Sequence, residues 1–389
     1  MRTFSTKITP LLSIIILCLT WSSLASITFV DPTLMDNTLT SNQSVEVNGS
    51  IIEPFLGNLT YIWNGSNYTL YSEELVVMYN FDNLSGVGEN YNGNASTIFD
   101  ASRNLNNGTW ITNKTNENTR SNWTNQGRYG GAIAFDGADD YVRLPSVPGL
   151  RNATSMTFAY WVKYPENATT YDLSGYVKSG GGPAIRLGRS NTGGIFINPG
   201  THTDIAISYS INNKNQWYFL ALTSAVSKNW TVYVNGKNIT SGTNGLPSVG
   251  FTGDTPFGIG ASLEPTDSTW ETRGFIDEVR IYNHSLTPEE IYELYVSNIQ
   301  KFDTNQWYFY ANQSQNATNL LSNGTYTYQL FVKNTTGTQS GTEERIIRIG
   351  QLPAIPELGE YAILLISITT ITGFFHMRTK SMRTDKTTH

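Results

Sequence analysis

Three observations predict an all-β fold for this chain of 389 residues. Only 14% of the residues are charged, whereas 12% are aromatic and 34 are glycine, a balance typical of β-rich extracellular proteins. Short alternating apolar runs follow one another along most of the chain, separated by Asn, Asp and Gly turn residues. Helical periodicity is nearly absent before Thr287. Together these features favour antiparallel β-sandwiches over a helical fold.

Residues 1–25 predict a signal peptide, with a basic start, an apolar core over residues 11–19 and Ser23-Leu24-Ala25 as the cleavage site. A retained N-terminal membrane anchor is the alternative. The single cysteine, Cys18, lies in this segment, so the mature chain would have no disulfide. Stability is therefore expected to come from core packing and from a bound metal.

The other end of the chain predicts a membrane anchor. Residues 351–360 form a proline-marked linker, residues 361–377 an apolar transmembrane segment, and residues 378–389 a basic cytoplasmic tail. Together with Pro356-Glu357-Leu358-Gly359, this arrangement resembles the C-terminal sorting signals of prokaryotic, notably archaeal, surface proteins. By that resemblance the tail would be cleaved and exchanged for a lipid. Either way, most of the protein is expected outside the cell.

Nineteen Asn-x-Ser/Thr acceptors agree with an extracellular, glycosylated protein. The sites proposed for modification are Asn83, Asn122, Asn167, Asn229 and Asn283. The net charge of −6 argues against nucleic acid as a partner, because no basic stripe is available to neutralise phosphates.

Residues 31–72 and 299–350 are predicted to form one split Ig-like β-sandwich. The first segment holds about three alternating runs, with Asn48-Gly49 and Asn64-Gly65 as turns, which is too few strands for a stable sandwich. The second segment resumes the same pattern, and Tyr326-x-Tyr328 resembles the last hairpin of an Ig-like sandwich, where a tyrosine braces the corner.

Residues 73–298, between these segments, predict a two-sheet sandwich or jelly roll, because strand signals recur at short, regular spacing. Asn235-Gly236 predicts a type I′ hairpin. Near the end of the region, Phe275–Asn283 predicts a strand with Phe275, Asp277, Val279 and Ile281 on one face, so that one acid lies in an apolar row.

Directly after that strand the sequence predicts a short helix. Thr287 is the expected N-cap, Pro288 the first helical residue, and Glu290 completes a capping box.

Several motifs of residues 73–298 resemble the laminin-G-like, concanavalin A-like jelly rolls. In order, they are residues 127–142, Phe158-Ala159-Tyr160-Trp161-Val162-Lys163, Trp217-Tyr218-Phe219-Leu220-Ala221, Val232-Tyr233-Val234-Asn235-Gly236, Phe257-Gly258-Ile259-Gly260, and Phe275–Asn283 with the following helix. Each motif is weak alone, but their order and spacing extend over the whole region. The resemblance implies two antiparallel sheets, a concave face or rim loops used for recognition, and a structural calcium ion in many members.

Calcium takes six to eight oxygen ligands. The candidate ligands are Asp82, Asp100 with Asn104 in the loop that follows it, and Asp277. The alternative is structural: Asp82 and Asp100 would shape turns, while Asp277 would accept hydrogen bonds from neighbouring backbone.

Exposed aromatic rings in polar loops are the expected contacts for sugars, because their faces pack against sugar C–H groups. The candidates are Trp123, Tyr171, Tyr176 and Trp270.

Catalytic residues are not predicted. The acidic cluster from Glu264 to Glu271 contains a proline and is a poor match to the paired carboxylates of a retaining glycosidase. His202 and His284 have no nucleophile or metal-ligand spacing around them. The sequence therefore predicts a membrane-tethered protein of the cell surface that recognises a glycan or a protein without catalysis. A purely structural envelope glycoprotein and, less favoured, a polysaccharide hydrolase are the alternatives.

Overall fold

The computed structural model of the protein describes residues 25–93, 95–112, 122–138, 140–144, 147–165, 172–178, 184–190, 192–199, 204–226, 229–243, 257–261 and 271–352. Within them the chain is an all-β sandwich structure with one α-helix, in agreement with the predicted fold class. No helix in these ranges is long and apolar enough to span a membrane. The predicted transmembrane segment, the basic tail and residues 1–24 of the predicted signal peptide lie outside the described residues.

Five strands precede the central part of the chain. They are β1 (Ser26–Phe29), β2 (Thr38–Thr40), β3 (Val45–Ile52), β4 (Leu56–Trp63) and β5 (Ser66–Tyr71).

The central part contributes sixteen strands. They are β6 (Leu75–Tyr79), β7 (Ser96–Ile98), β8 (Gly108–Ile111), β9 (Asn122–Thr124), β10 (Ala132–Asp136), β11 (Tyr141–Leu144), β12 (Ser155–Lys163), β13 (Asp172–Lys178), β14 (Ala184–Arg189), β15 (Gly194–Pro199), β16 (Ile205–Ser210), β17 (Trp217–Ala225), β18 (Trp230–Val234), β19 (Lys237–Gly242), β20 (Phe257–Ile259) and β21 (Arg273–Tyr282).

The helix and the last five strands follow. They are α1 (Pro288–Val296), β22 (Ser297–Lys301), β23 (Gln306–Gln313), β24 (Gly324–Asn334), β25 (Gln339–Gly341) and β26 (Arg345–Ile349).

The central strands form two antiparallel sheets, which we call the central sandwich. The first central sheet has the order β19-β18-β17-β12-β21-β10-β9, with β6 also paired to β21. The second has the order β16-β15-β14-β13-β20-β11-β8-β7. Apolar side chains fill the space between them; for example, the ring centroids of Phe158 on β12 and Phe257 on β20 lie 5.1 Å apart.

Strands from both ends of the described chain combine in two smaller sheets, the flanking sheets. One has the order β1-β3-β23-β22, and the other has the order β2-β26-β24-β4-β5, with β25 paired to β24. The two sheets share a core, in which Tyr61 of β4 and Phe309 of β23 have ring centroids 5.3 Å apart. That the two chain segments make up a separate Ig-like domain stays a prediction.

The inner strands of the first central sheet, β12, β17 and β21, are buried on both faces. On β12, Phe158 and Tyr160 point into the central sandwich. Ala159 and Trp161 point the other way, into the core shared with α1 and the flanking sheets. A strand buried on both faces has no polar face, which explains the nearly continuous apolar run of β12.

A β-bulge overturns the predicted alternation of β21. Trp161 pairs with Asp277 and Ala159 with Arg280, so two residues of β21 lie opposite Tyr160. Glu278, at φ +52, adopts the left-handed conformation that permits this. The core row on β21 is therefore Ile276, Val279 and Ile281, and Asp277 lies outside it.

Local turn and cap predictions have mixed outcomes. Asn64-Gly65 and Asn235-Gly236 each connect two paired strands with positive φ at both residues, as a type I′ turn requires. The Thr287 capping box of α1 is confirmed in both directions. Asn48-Gly49, however, is wrong as a turn, because it lies inside β3 and pairs with both β1 and β23. A Cβ at Gly49 would lie 2.6 Å from Leu330 Cδ1, so the Leu330 side chain would have to move to admit a larger residue there.

Candidate functional site

Asp100, a predicted calcium ligand, is fully buried and organises the backbone around it. Its Oδ1 accepts hydrogen bonds from the backbone N–H of Met78 (2.8 Å) and Ser102 (2.9 Å). Its Oδ2 accepts from the Ser102 hydroxyl (2.8 Å) and from the Asn106 N–H (2.7 Å). Asn104, its predicted companion ligand, uses its side-chain amide to donate to the Leu75 carbonyl at 3.1 Å.

Asp277 and Asp82 hold the loop that connects β9 and β10. Asp277 Oδ2 accepts from the N–H groups of Arg128 (2.7 Å) and Tyr129 (3.0 Å). Asp82 Oδ1 accepts from the Gly131 N–H at 2.8 Å, and its Oδ2 accepts from the Gln300 amide at 2.6 Å. Burial raises the pKa of Asp82 to about 6 and raises that of Asp277 as well.

Of the four predicted calcium ligands, Asp82 and Asp277 thus bind the same loop, while Asp100 and Asn104 bind the segment that contains Leu75 and Met78. Each aspartate accepts hydrogen bonds from backbone N–H groups, which corresponds to the structural alternative stated for Asp277. Among the residues that the structure describes, no group of three or more His, Cys, Asp or Glu side chains is arranged to hold a metal ion. Calcium binding stays a prediction.

The predicted sugar-binding aromatics are only partly described. Trp123 on β9 is half-buried against the central core, and its indole N–H donates to the Phe81 carbonyl at 2.8 Å. Tyr176 lies on β13, while Tyr171 and Trp270 lie outside the described residues. Ligand binding by these four residues stays a prediction.

The proposed glycosylation sites differ in exposure. Asn122 and Asn229 are exposed. Asn83 is half-buried, and its side-chain oxygen accepts from the Tyr91 N–H at 2.8 Å. Asn283 donates its side-chain amide to the Gly149 carbonyl at 3.3 Å. Asn167 lies outside the described residues.

A cavity of about 440 Å³ lies where α1 meets the β4–β5 turn, the β18–β19 turn and the segment after β23. We call it the junction cavity. Its wall includes the side chains of Trp63, Tyr68, Lys237, Tyr292, Glu293 and Gln313.

Local structure holds the aromatic wall in place. The Asn64-Gly65 turn brings β4 and β5 together, which places Trp63 and Tyr68 near one end of the hairpin. Trp63 stacks on Tyr326 of β24, with ring centroids 5.6 Å apart and planes inclined by 14°. On α1, the hydroxyl of Tyr292 donates to the Ser314 carbonyl at 3.0 Å, which ties the helix to the segment after β23.

Glu293 and Gln313, at the inner side of the cavity, carry buried acceptors that the protein does not satisfy. The Gln313 amide N–H₂ donates to Glu293 Oε1 (3.1 Å) and to the Ser314 carbonyl (3.3 Å). Both residues are buried, with 1% of their surface exposed. Within the described part of the chain, Glu293 Oε2 and Gln313 Oε1 nevertheless have no hydrogen-bond partner. The hydroxyl of Tyr61, buried nearby, also has none. Buried polar atoms without partners are rare, and these three lie together beneath the floor of the cavity.

Burial raises the pKa of Glu293 to about 8, although the hydrogen bond from Gln313 opposes this shift. Its carboxyl group is therefore mostly protonated at neutral pH. In that form Glu293 can donate one hydrogen bond as well as accept.

The sequence did not predict the junction cavity, because its residues come from four separate segments, residues 63–68, 236–237, 288–293 and 313–318. One signal was available: in β23, Gln313 continues the inward row of Trp307, Phe309 and Ala311. A polar residue in an apolar row needs a buried partner or a ligand.

Comparisons with solved structures give distant likenesses. Domain 4 of AbnA, a GH43 extracellular arabinanase from Geobacillus stearothermophilus in complex with arabinotriose, is 27% identical over 56% of this chain and 96% of its own, with a TM-score of 0.40. Trypanosoma rangeli sialidase is 17% identical over 58% of this chain and 33% of its own, with a TM-score of 0.42. The binding domain of Paraclostridial Mosquitocidal Protein 1 is 17% identical over 58% of this chain and 52% of its own, with a TM-score of 0.42. The matched part of this chain thus spans about a third of the sialidase and about half of the mosquitocidal binding domain.

No curated protein matches this chain. A family model described as the concanavalin A-like lectin/glucanases superfamily, of laminin-G type, matches residues 136–292. These residues extend from the end of β10 into α1. The central part of the chain is therefore similar to that superfamily.

Proposed function

We propose that this protein recognises a glycan without catalysis and that the junction cavity is its binding site. The observation that carries the proposal is the lining of the junction cavity, which combines the aromatic residues Trp63, Tyr68 and Tyr292 with polar residues such as Gln315 and Asn316. A sugar supplies both complements, because its C–H faces pack on aromatic rings and its hydroxyl groups donate hydrogen bonds.

The match of residues 136–292 supports this function, because the superfamily is described by its lectins and glucanases. Within the proposal, the central sandwich is a jelly roll and the flanking sheets form an Ig-like sandwich. In support of the latter, the hydroxyl of Tyr326 donates to the Ser322 carbonyl four residues upstream (3.0 Å), as in a tyrosine corner. The predicted cell-surface location, membrane tether, structural calcium and glycosylation belong to the same proposal.

The environment of Asp100 and Asp277 supports recognition rather than hydrolysis by these two acids. A retaining glycosidase needs two carboxyl groups about 5 Å apart on either side of the scissile bond. Asp100 and Asp277 instead accept backbone hydrogen bonds inside the fold. Both are fully buried, where a substrate does not reach them.

Tyr68→Ala tests the proposed site. The purified protein is first screened on a glycan array, and the best ligand is then titrated by calorimetry. Loss of the Tyr68 ring should weaken binding about tenfold, which corresponds to about 1.4 kcal/mol of stacking energy. Tyr308→Ala is the matched control, because Tyr308 is a 39% exposed ring on a flanking sheet outside the cavity, and its loss should leave the affinity unchanged.

The alternatives predict different results. Absence of binding to any glycan would favour a structural envelope glycoprotein. Release of sugar from a polysaccharide by the purified protein would favour a hydrolase. Equal losses in the two tyrosine variants would place the binding site elsewhere.

A further inference from the structure

A row of side chains on the outer face of the first central sheet combines a cation with two aromatic rings. Lys163 of β12 pairs with Trp217 of β17 on one side and with Phe275 of β21 on the other. Residues that pair directly across a sheet share a face, so the three side chains lie next to one another. The Lys163 ammonium lies 5.0 Å from the ring centroid of Trp217 and 4.4 Å from that of Phe275. All three residues are half-buried, so part of each side chain is open to solvent.

A second cation lies over the same face. Trp161 precedes Lys163 by two positions on β12, so their side chains point to the same side and their Cα atoms lie about 7 Å apart. The exposed Arg128 guanidinium lies 4.5 Å from the ring centroid of Trp161 and 4.9 Å from that of Tyr129. The hydrogen bonds from the Arg128 and Tyr129 N–H groups to Asp277 hold this part of the loop against the sheet. We use the name cationic patch for Arg128, Lys163, Trp217 and Phe275.

The two cations contact aromatic rings but have no acid partner. Among the described residues, neither the Lys163 ammonium nor the Arg128 guanidinium forms a salt bridge or a hydrogen bond. Partial burial lowers the pKa of Lys163, and no carboxylate of the described residues opposes this shift. The protein as a whole is acidic, with a net charge of −6, so the patch differs in charge from the rest of the chain. The rings fix the positions of the two cations, whose hydrogen-bond donors are available to an anionic ligand.

We propose that the cationic patch binds an acidic polysaccharide through the carboxylate groups of its uronic acid residues. Carboxylates on neighbouring sugars accept hydrogen bonds from Lys163 and Arg128, and an apolar sugar face packs on the exposed parts of Trp217 and Phe275. Such a polymer carries both negative charge and apolar C–H surface, which complement the cations and the rings. None of these residues lines the junction cavity, so the patch is a second site that does not depend on the function proposed for that cavity.

Calorimetry with a matched pair of ligands tests the inference. Tetragalacturonic acid is ionised at about pH 7, whereas its methyl ester has the same sugar backbone and no charge. We expect the acid to bind at least about tenfold more tightly than the ester. Because the attraction is electrostatic, the affinity for the acid should fall as the NaCl concentration is raised from about 0.05 M to about 0.5 M.

Single substitutions locate the site. Lys163→Gln removes the charge and keeps much of the apolar stem of the side chain. It should remove most of the preference for the acid, as should Arg128→Gln, while binding of the ester should stay unchanged. Lys333→Gln removes the same charge from an exposed position on β24 outside the patch, so the preference should persist. Tyr68→Ala, which tests the junction cavity, should also leave the preference unchanged.

Each failure has a distinct meaning. Absence of binding to the acid, equal affinities for acid and ester, or a preference that persists in Lys163→Gln and Arg128→Gln would overturn the inference and leave the function proposed for the junction cavity standing. A tetraglutamate peptide that binds as tightly as tetragalacturonic acid would overturn the assignment to a polysaccharide. Loss of acid binding in Tyr68→Ala would place the acid in the junction cavity instead. The comparison of acid with ester in the unmodified protein decides the question even if a variant does not fold.

Discussion

At the scale of single residues, buried aspartates bind the protein's own backbone. Asp277 and Asp82 each accept hydrogen bonds from the loop between β9 and β10, and Asp100 accepts four from its surroundings. Loops carry many backbone N–H groups without strand partners. A buried N–H group without a hydrogen-bond acceptor destabilises the folded state by about 1–3 kcal/mol. These carboxyl groups therefore hold the connections of the central sandwich in place.

Gly130→Ala should destabilise the protein by more than backbone strain alone. Gly130 has φ +59, and a Cβ there would collide with Asp82 Oδ1, the atom that accepts from Gly131. Gly65→Ala is the matched control, because Gly65 has φ +80 but nothing within 4 Å of its Cβ position. We expect the free energy of unfolding to fall by about 1 kcal/mol in Gly65→Ala and by at least about 2 kcal/mol more in Gly130→Ala, measured by denaturant unfolding. Equal losses would show that the contact with Asp82 contributes nothing.

At the scale of elements, α1 connects the two parts of the molecule. Ile291 and Leu294 belong to the core that joins the flanking sheets to the outer face of the first central sheet. Tyr295 stacks on Trp161 of β12, with ring centroids 5.5 Å apart. Tyr292 and Glu293, on the same helix, line the junction cavity. A short helix thus sets the geometry of the site and part of the shared core.

Thr287→Ala should therefore lower the stability of the protein. The Thr287 hydroxyl accepts from the Glu290 N–H at 3.2 Å, and Glu290 accepts in return from the Thr287 N–H at 2.8 Å. Loss of this capping box should cost about 1 kcal/mol in chemical unfolding. Thr287→Ser keeps the hydroxyl and should behave like the unmodified protein. An alanine variant with unchanged stability would show that packing of α1 makes the cap redundant.

At the scale of the whole molecule, a buried polar network connects the central sandwich to the flanking sheets. Glu278 of β21 accepts from the side-chain amides of Asn80 (2.7 Å) and Asn298 (2.8 Å) and pairs with Arg280 at 3.2 Å. Burial raises the pKa of Glu278 to about 8, although Arg280 and the amide hydrogen bonds oppose the shift. The folded state therefore prefers the protonated carboxyl group.

Stability should consequently fall as the pH rises from about 5 to about 9. In the folded protein the pKa of Glu278 lies above that of an exposed glutamate. The stabilisation that Glu278 gives to the folded state is therefore complete below about pH 4.3 and is lost as the pH rises through about 8. Burial raises the pKa of Asp82 to about 6 and that of Glu89 to about 7, so these two groups also make the folded state less stable as the pH rises. Thermal unfolding across this range should show a decreasing Tm, and Glu278→Gln should make that decrease smaller, with the remainder due to Asp82 and Glu89. A Tm that rises toward pH 9 would contradict the network's role.

Prediction from the sequence was most successful for local features. The turns at Asn64-Gly65 and Asn235-Gly236 and the cap at Thr287 depend on residues only a few positions apart. Prediction failed where distant strands decide the outcome. Asn48-Gly49 has the residues of a turn but pairs with strands on both sides, and β21 carries a bulge that alternation does not reveal.

The sequence by itself determined the all-β class, most of the strands and the short capped helix, because alternation and turn preferences act between near neighbours. Only the tertiary structure decided that Asp82, Asp100 and Asp277 receive backbone hydrogen bonds. It also decided that Glu293 and Gln313 meet in one cavity wall. The physical reason is that these contacts join residues of different elements, such as Asp277 and Arg128, which lie 149 positions apart, and no local pattern encodes which side chains then meet.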